Sequence, residues 1–391
     1  MIRGKTIILL ACCASVCWGA WPTYHGGADL RGVSDAELPD KPELLWRYNA
    51  GGAIYSTPVS DGERIFFSGK KGAITAIDLK GSKLWEKSFT LKNSAGDEVP
   101  VRFDAPLACG HGLVFAGTRR GMLYALDAKT GATRWRYNTG GVLVGSPNLI
   151  KIDREDARTQ GKGNLGDLAP LRSKLVVVDQ SDGALHCLEV EAGELDWKTE
   201  GVERCDGSPG IGNGRIVFGS CAAALHVYGV NGKHLKDVEV GGDGQLAGGV
   251  ALAGKRAFAG TRDGSLLCVD LEKGDVVWSS DESKEQAFST PAATSNRVVY
   301  SSDDGFVYAV DRAEGKLVWK FDTGGLPTSP VVAKDKVVVS ADGILYLLEL
   351  ADGRQLWSQE VSDEISSPGL IGGMIVVGAD DGTVSAFGKK M

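Results

Sequence analysis

The side chains that could do chemistry in this 391-residue chain are few and dispersed. Charged residues stand at Arg102 and Asp104, at Asp206, and at Asp363 and Glu364, each shortly ahead of a small residue plus proline. Calcium would need about six to eight oxygens converging on one point, and a general base would need a partner to orient it. Acids spread at wide intervals supply neither. The five histidines, His25, His111, His186, His226 and His234, show no metal spacing such as H-E-x-x-H, and no C-x-x-C occurs. His186 and His226 occupy the same slot of a repeat, which marks a structural position that sometimes holds histidine. No nucleophile stands with a base partner in any recognisable motif.

The elements that would position these residues follow from the repeat itself. Small residue plus Pro recurs at Pro58, Pro106, Pro147, Pro209, Pro291, Pro330 and Pro368, with Gly249 standing in once. A period of about 40 residues marks stacked units that cannot bury their apolar faces alone. The second unit shows the pattern in full: Ala105-Pro106, a strand from Leu113 to Gly117, a second from Met122 to Asp127, the turn Thr130-Gly131, and Trp135. Short β-branched runs punctuated by Gly and Asp predict four antiparallel strands per unit. The fold class is therefore all-β, an eight-bladed β-propeller.

Trp46, Trp85, Trp135, Trp197, Trp278, Trp319 and Trp357 recur once per blade, and Lys236 takes the slot in the blade that lost its Pro. A tryptophan on each outer strand is expected to wedge between blades, its indole N–H satisfied by a neighbouring carbonyl. The last unit stops at Phe387 without a Trp strand, while an orphan one, Glu43 to Tyr48, precedes the first Pro. Pairing the N-terminal Trp46 strand with the C-terminal blade would close the ring and remove both free edges. A ring closed on itself needs no second copy, so a monomer is expected.

Residues 1–20 read as a secretory signal: Arg3 and Lys5, an apolar run from Ile7 through Cys17, then Gly19-Ala20. Leu9-Leu10-Ala11-Cys12 also approximates a bacterial lipoprotein box, so a lipid on Cys12 and cleavage near Ala20 both stay open. A leading segment, 21–42, precedes the propeller, 43–391. Losing Arg3 and Lys5 moves the formal charge from −7 to −9, which argues against a nucleic-acid partner. The 54 glycines serve turns, because 43% of residues are hydrophobic and fall periodically.

Export implies an oxidising compartment for Cys109, Cys187, Cys205, Cys221 and Cys268. Cys205 and Cys221 are equidistant from Asn213 in a Gly-Asn-Gly turn, so a Cys205–Cys221 disulfide across that hairpin is expected, against the alternative of two buried thiols. Cys187 and Cys268 fill the slot of Ala125 and read as small core residues.

The run Ala125-Leu-Asp127-Ala-Lys-Thr130-Gly131-Ala-Thr-Arg-Trp135 resembles the tryptophan-docking motif of the pyrroloquinoline-quinone (PQQ) repeat superfamily, over nearly all of the mature chain. Trp21-Pro22 through Gly26 and Arg31-Gly32-Val33-Ser34 resembles the segment that often precedes such propellers. Two branches follow from the resemblance. Quinoprotein dehydrogenases hold PQQ and calcium and oxidise alcohols or sugars with an Asp base; many carry adjacent cysteines, and here the adjacent pair, Cys12-Cys13, lies in the signal. BamB-like proteins are non-catalytic eight-bladed rings of the outer-membrane assembly machinery. The resemblance implies the second, a periplasmic or outer-membrane-associated protein-binding scaffold without cofactor; a PQQ/calcium dehydrogenase is the alternative, and an envelope glycan-binding ring the next.

Insertions mark where the chain departs from the bare repeat, about 87–101 and 151–170. Each reads equally as a solvated, mobile loop or as a binding element. The first falls on the face that carries the turns Lys70-Lys71, Arg119-Arg120 and Arg262-Asp263, beside Tyr55, Phe103 and Phe288. With Arg102 and Asp104 these residues form the expected interaction face, a mixture of aromatics and basic turns suited to a protein partner.

Overall fold

The computed structural model describes residues 19–150, 173–241 and 244–390. Residues 1–18 of the signal, Cys12 among them, and the insertion about 151–170 lie outside the described residues. Eight antiparallel sheets form the ring: 59–88, 108–138, 148–198, 210–239, 251–280, 292–322, 331–360, and 369–388 with Glu43–Asn49, numbered here as blades 1 to 8. In blade 1 the strands run from the channel outward as Val59–Ser60, Arg64–Ser68, Ala73–Asp78 and Lys83–Ser88. The N-terminal strand Glu43–Asn49 pairs antiparallel with Thr383–Gly388, setting Trp46 opposite Ala386, so blade 8 is built from both ends of the propeller.

The core is a set of layers between blades. Phe115, Leu123 and Ala125 of blade 2 pack against Leu175, Val177 and Leu188 of blade 3, all fully or almost fully buried. Seven of the eight seams carry a tryptophan. The Trp85 indole lies on Gly131 of the next blade, where φ is +70° and a Cβ would fall 2.6 Å from the ring; glycine alone fits that turn and that approach. Trp85 Nε1 donates to Ala128 O at 2.9 Å. The same bond recurs from Trp46 to Leu79 (3.0 Å), Trp135 to Val190 (2.8 Å), Trp278 to Arg312 (3.2 Å) and Trp319 to Leu350 (2.9 Å). Lys236 reproduces it without an indole: its Nζ donates to Glu272 O at 2.7 Å while its stem covers Gly274.

Two expectations are amended. Register places Val250, rather than Gly249, in the proline slot of blade 5, since Ala251 pairs with Phe258 as Val59 pairs with Phe66. The Cys205–Cys221 bridge is not formed in this structure. Both are thiols, Cys205 buried and hydrogen-bonded to Gly207 O. The register of Gly210 with Val217 and Gly212 with Arg215 runs one residue off the expected symmetry, and the Cys221 N–H instead meets Arg204 O. Burial pushes the Cys187 and Cys205 thiols up to about 12, away from reactivity.

The leading segment is the irregular part of the molecule. Residues 19–34 walk once around the inside of the ring and hydrogen-bond to the innermost strand of each blade in turn. Gly19 meets Gly372 in blade 8, Trp21 meets Ser60, Pro22 meets Cys109, and Ala28 meets both Asn148 and Ile211. Asp29 then meets Leu252, Arg31 meets Ala293, and Val33–Ser34 adds a parallel strand to Val331–Ala333 of blade 7. Trp21, His25 and Leu30 are buried, and both His25 ring nitrogens face carbonyls, Leu30 O at 2.7 Å and Pro330 O at 3.0 Å. The segment plugs the channel at the end away from the Lys70 and Arg119 turns.

Candidate interaction face

The open mouth is lined by two stretches per blade: the approach to the innermost strand and the turn after the second strand. Backbone bonds tie them together, as Lys70 N–H to Ala53 O in blade 1 and Arg262 N–H to Gln245 O in blade 5. Six of the ten expected residues, Tyr55, Lys70, Arg102, Phe103, Asp104 and Arg119, line one cavity of about 250 Å³ between blades 1 and 2.

Its electrostatics are one-sided. Asp104 pairs with Arg119 and, at 3.5 Å, with Arg102. Lys70 Nζ sits 4.2 Å from the centre of the half-exposed Tyr55 ring. Three cations and one carboxylate line the cavity, so it carries two positive charges in excess. The insertion beside it is ordered as a hairpin, Thr90–Lys92 with Glu98–Pro100, whose turn is tied by the Asn93 side chain to Ala95 and Asp97.

The other four expected residues fall elsewhere. Arg120 is exposed and does not line the cavity, and the Lys71 stem covers Gly52. Arg262 lies over Phe288, 5.6 Å from its centre, as a separate pair at blades 5 and 6. Phe103 lines the cavity yet is only 6% exposed. It meets Phe89 and Tyr124 edge-on at 5.4 and 6.0 Å, so it anchors the base of the hairpin more than it offers surface. In blades 6 and 8 the slots of Lys70 and Arg119 hold Asp303 and Asp380. Burial, then Glu285 and Asp304, push the Asp303 carboxyl above the usual range. The mouth is thus basic on one arc and acidic on another.

Groups suited to catalysis or metal binding do not converge. Asp206 is held by Arg204 at 3.0 Å and by Gln180, Asp104 by its two arginines, and Glu364 lies in another blade. Among the described residues no three His, Cys, Asp or Glu side chains group as metal ligands would. One array escaped the sequence: Ser220 Oγ lies 2.8 Å from His226 Nε2, whose Nδ1 lies 2.7 Å from Asp237 Oδ1. Such an order suits a nucleophile, but Ser220 is fully buried and its oxygen accepts the Ala222 N–H. Thr118, Thr261 and Ser302 take the same slot and cap the same turn. The array braces a mouth turn; comparing those slots would have identified Ser220 as a cap.

The outer membrane protein assembly factor BamB of Shewanella oneidensis is 24% identical over 332 residues, covering 76% of each chain. Among solved structures, BamB from Moraxella catarrhalis superposes with a TM-score of 0.68 at 19% identity, over 89% of this chain and 98% of that one. The quinohemoprotein alcohol dehydrogenase of Comamonas testosteroni reaches 0.73 at 16% identity, over 95% and 81%, so the fold is common to both branches. The family model described as outer membrane protein assembly factor BamB matches residues 39–142, 223–362 and 303–390, more than half of the chain, and the chain belongs to that family.

Proposed function

We propose that this ring is an exported, non-catalytic scaffold that works in outer-membrane protein assembly and binds a protein partner at the open mouth between blades 1 and 2. The observation that carries the binding site is the cavity itself: an excess of two positive charges, an exposed tyrosine and a flanking hairpin on the unplugged end. That chemistry suits an acidic segment carrying an apolar or aromatic side chain. The ring acts as a monomer at the periplasmic side of the outer membrane, and a lipid on Cys12 would be its membrane attachment.

Capture tests this reading. The mature protein and the double variant Lys70→Glu, Arg119→Glu are used to pull outer-membrane assembly proteins from envelope extract; the variant should capture at least tenfold less, as should deletion of residues 88–100. Equal capture would move the interface elsewhere. Titration with PQQ and calcium should give no saturable heat. One-to-one binding would instead make a quinoprotein dehydrogenase the leading function, with Asp104, Asp206 and Glu364 the acids to replace.

A further inference from the structure

At the plugged end, on the seam between blades 5 and 6, a second cleft of about 320 Å³ is lined by Arg256, Ser295, Asn296, Asp311 and Arg312 among others. At about 30 Å³ per water it has room for roughly ten, or for an oxyanion with part of the group that bears it. Arg256 begins the second strand of blade 5 opposite Asp270. In the equivalent pair of blade 6, Arg297 engages Asp311 at 3.5 Å. Arg256 forms no such ion pair with Asp270, although its charge, after the Lys273 and Glu272 N–H groups, helps hold the Asp270 carboxyl below the usual range. Arg256 Nη1 reaches Arg312 O at 3.2 Å.

Arg312 spends its terminal nitrogens on two carbonyls, Thr294 O at 2.7 Å and Ala253 O at 3.0 Å, and lies 5.7 Å from the centre of the Phe258 ring. Among the described residues neither guanidinium has a carboxylate at ion-pair distance, and the one acid lining the cleft, Asp311, is taken by Arg297. Burial, then the charge of Arg256, hold Arg312 below its ordinary range, and Arg31 adds to the same field. Two half-buried like charges side by side are costly unless an anion joins them.

We infer that this cleft is a binding site for a phosphate-bearing group, with Arg256 donating from its remaining N–H groups and Arg312 supplying charge. Two cations without an ion-pair partner suit a phosphate monoester, which carries close to two negative charges near pH 7. The amide nitrogen of exposed Asn296 is left for the rim, since its oxygen already accepts from Thr294. The source is either a soluble phosphate or a phospholipid headgroup.

The mature full chain is titrated calorimetrically with inorganic phosphate and floated with phosphatidylcholine vesicles with and without phosphatidic acid. Saturable phosphate binding is expected, weakened at least tenfold in Arg256→Gln and in Asn296→Asp, which brings a carboxylate to the rim. Flotation that needs phosphatidic acid and is lost in both variants assigns the headgroup; phosphate binding without flotation assigns a soluble phosphate. Should Arg256→Gln fail to fold, Asn296→Asp, at an exposed position, carries the test. Binding to neither probe, or binding that the folded variants retain, overturns the proposal.

Discussion

The two ends of the channel are made from the same eight innermost strands, yet one is filled and the other bare. At the plugged end residues 19–34 meet every blade and bury Trp21, His25 and Leu30. At the open end, turns of the same length display Lys70, Arg119 and Arg262 on one arc and Asp303 and Asp380 on another. The repeat supplies a frame with eight-fold regularity. What breaks that regularity, a segment inside the ring or the charges on its turns, sets what each end does.

If the plug is a structural member and the mouth a surface, damage at the two ends should differ in kind. Trp21→Ala should lower unfolding stability by about 3–5 kcal/mol, as for other buried aromatics cut to alanine, read by denaturant titration; a loss under about 1 kcal/mol would mean that the segment only drapes the ring. Between the ends, His186 is held neutral: burial, then the charge of Lys198, push it down to about 4. Its contribution is complete above the unfolded value near 6.5 and is lost as pH falls from there through about 4, a drop of about 3 kcal/mol at most. His186→Tyr, the residue at Tyr124, Tyr308 and Tyr346 in the same slot, should flatten that limb of the stability–pH curve.

At the seams, Lys236→Ala removes the bond to Glu272 O and should cost about 1 kcal/mol; an unchanged melt would reduce the lysine to surface. The smallest effect is expected at the mouth, where Lys70→Glu with Arg119→Glu should leave stability within about 0.5 kcal/mol while partner capture collapses. A large stability loss there would blur the distinction between the ends.

Most of the frame was legible in the sequence because it repeats. Trp, Gly and Pro at a fixed period carry their reason at each occurrence, and even Lys236 could be placed by the gap it fills. Six of the ten mouth residues came together because turns at equal slots must share a face. Phe103 is more buried than its place at the mouth suggests, because Phe89, just ahead of the hairpin, and Tyr124, from the third strand of its own blade, close over it. The Cys205–Cys221 pairing turned on a register that differs by one residue from the turn's symmetry. The circuit of residues 19–34 occurs once, so no period announces it, and the Arg256–Arg312 cleft depends on a rotamer choice that the strand pairing with Asp270 would not suggest.

The plug also orders events in time. Residues 19–34 are synthesised before any blade, but their hydrogen-bond partners run from Ser60 to Gly372. The segment bonds to the inner strands of all eight blades, and its bonds join separations up to close to the length of the chain, the kind of contact that forms late. Contacts made after the rate-limiting step restrain escape more than they speed arrival. The segment is then a latch: it adds little to how fast the ring is made and much to how long it lasts.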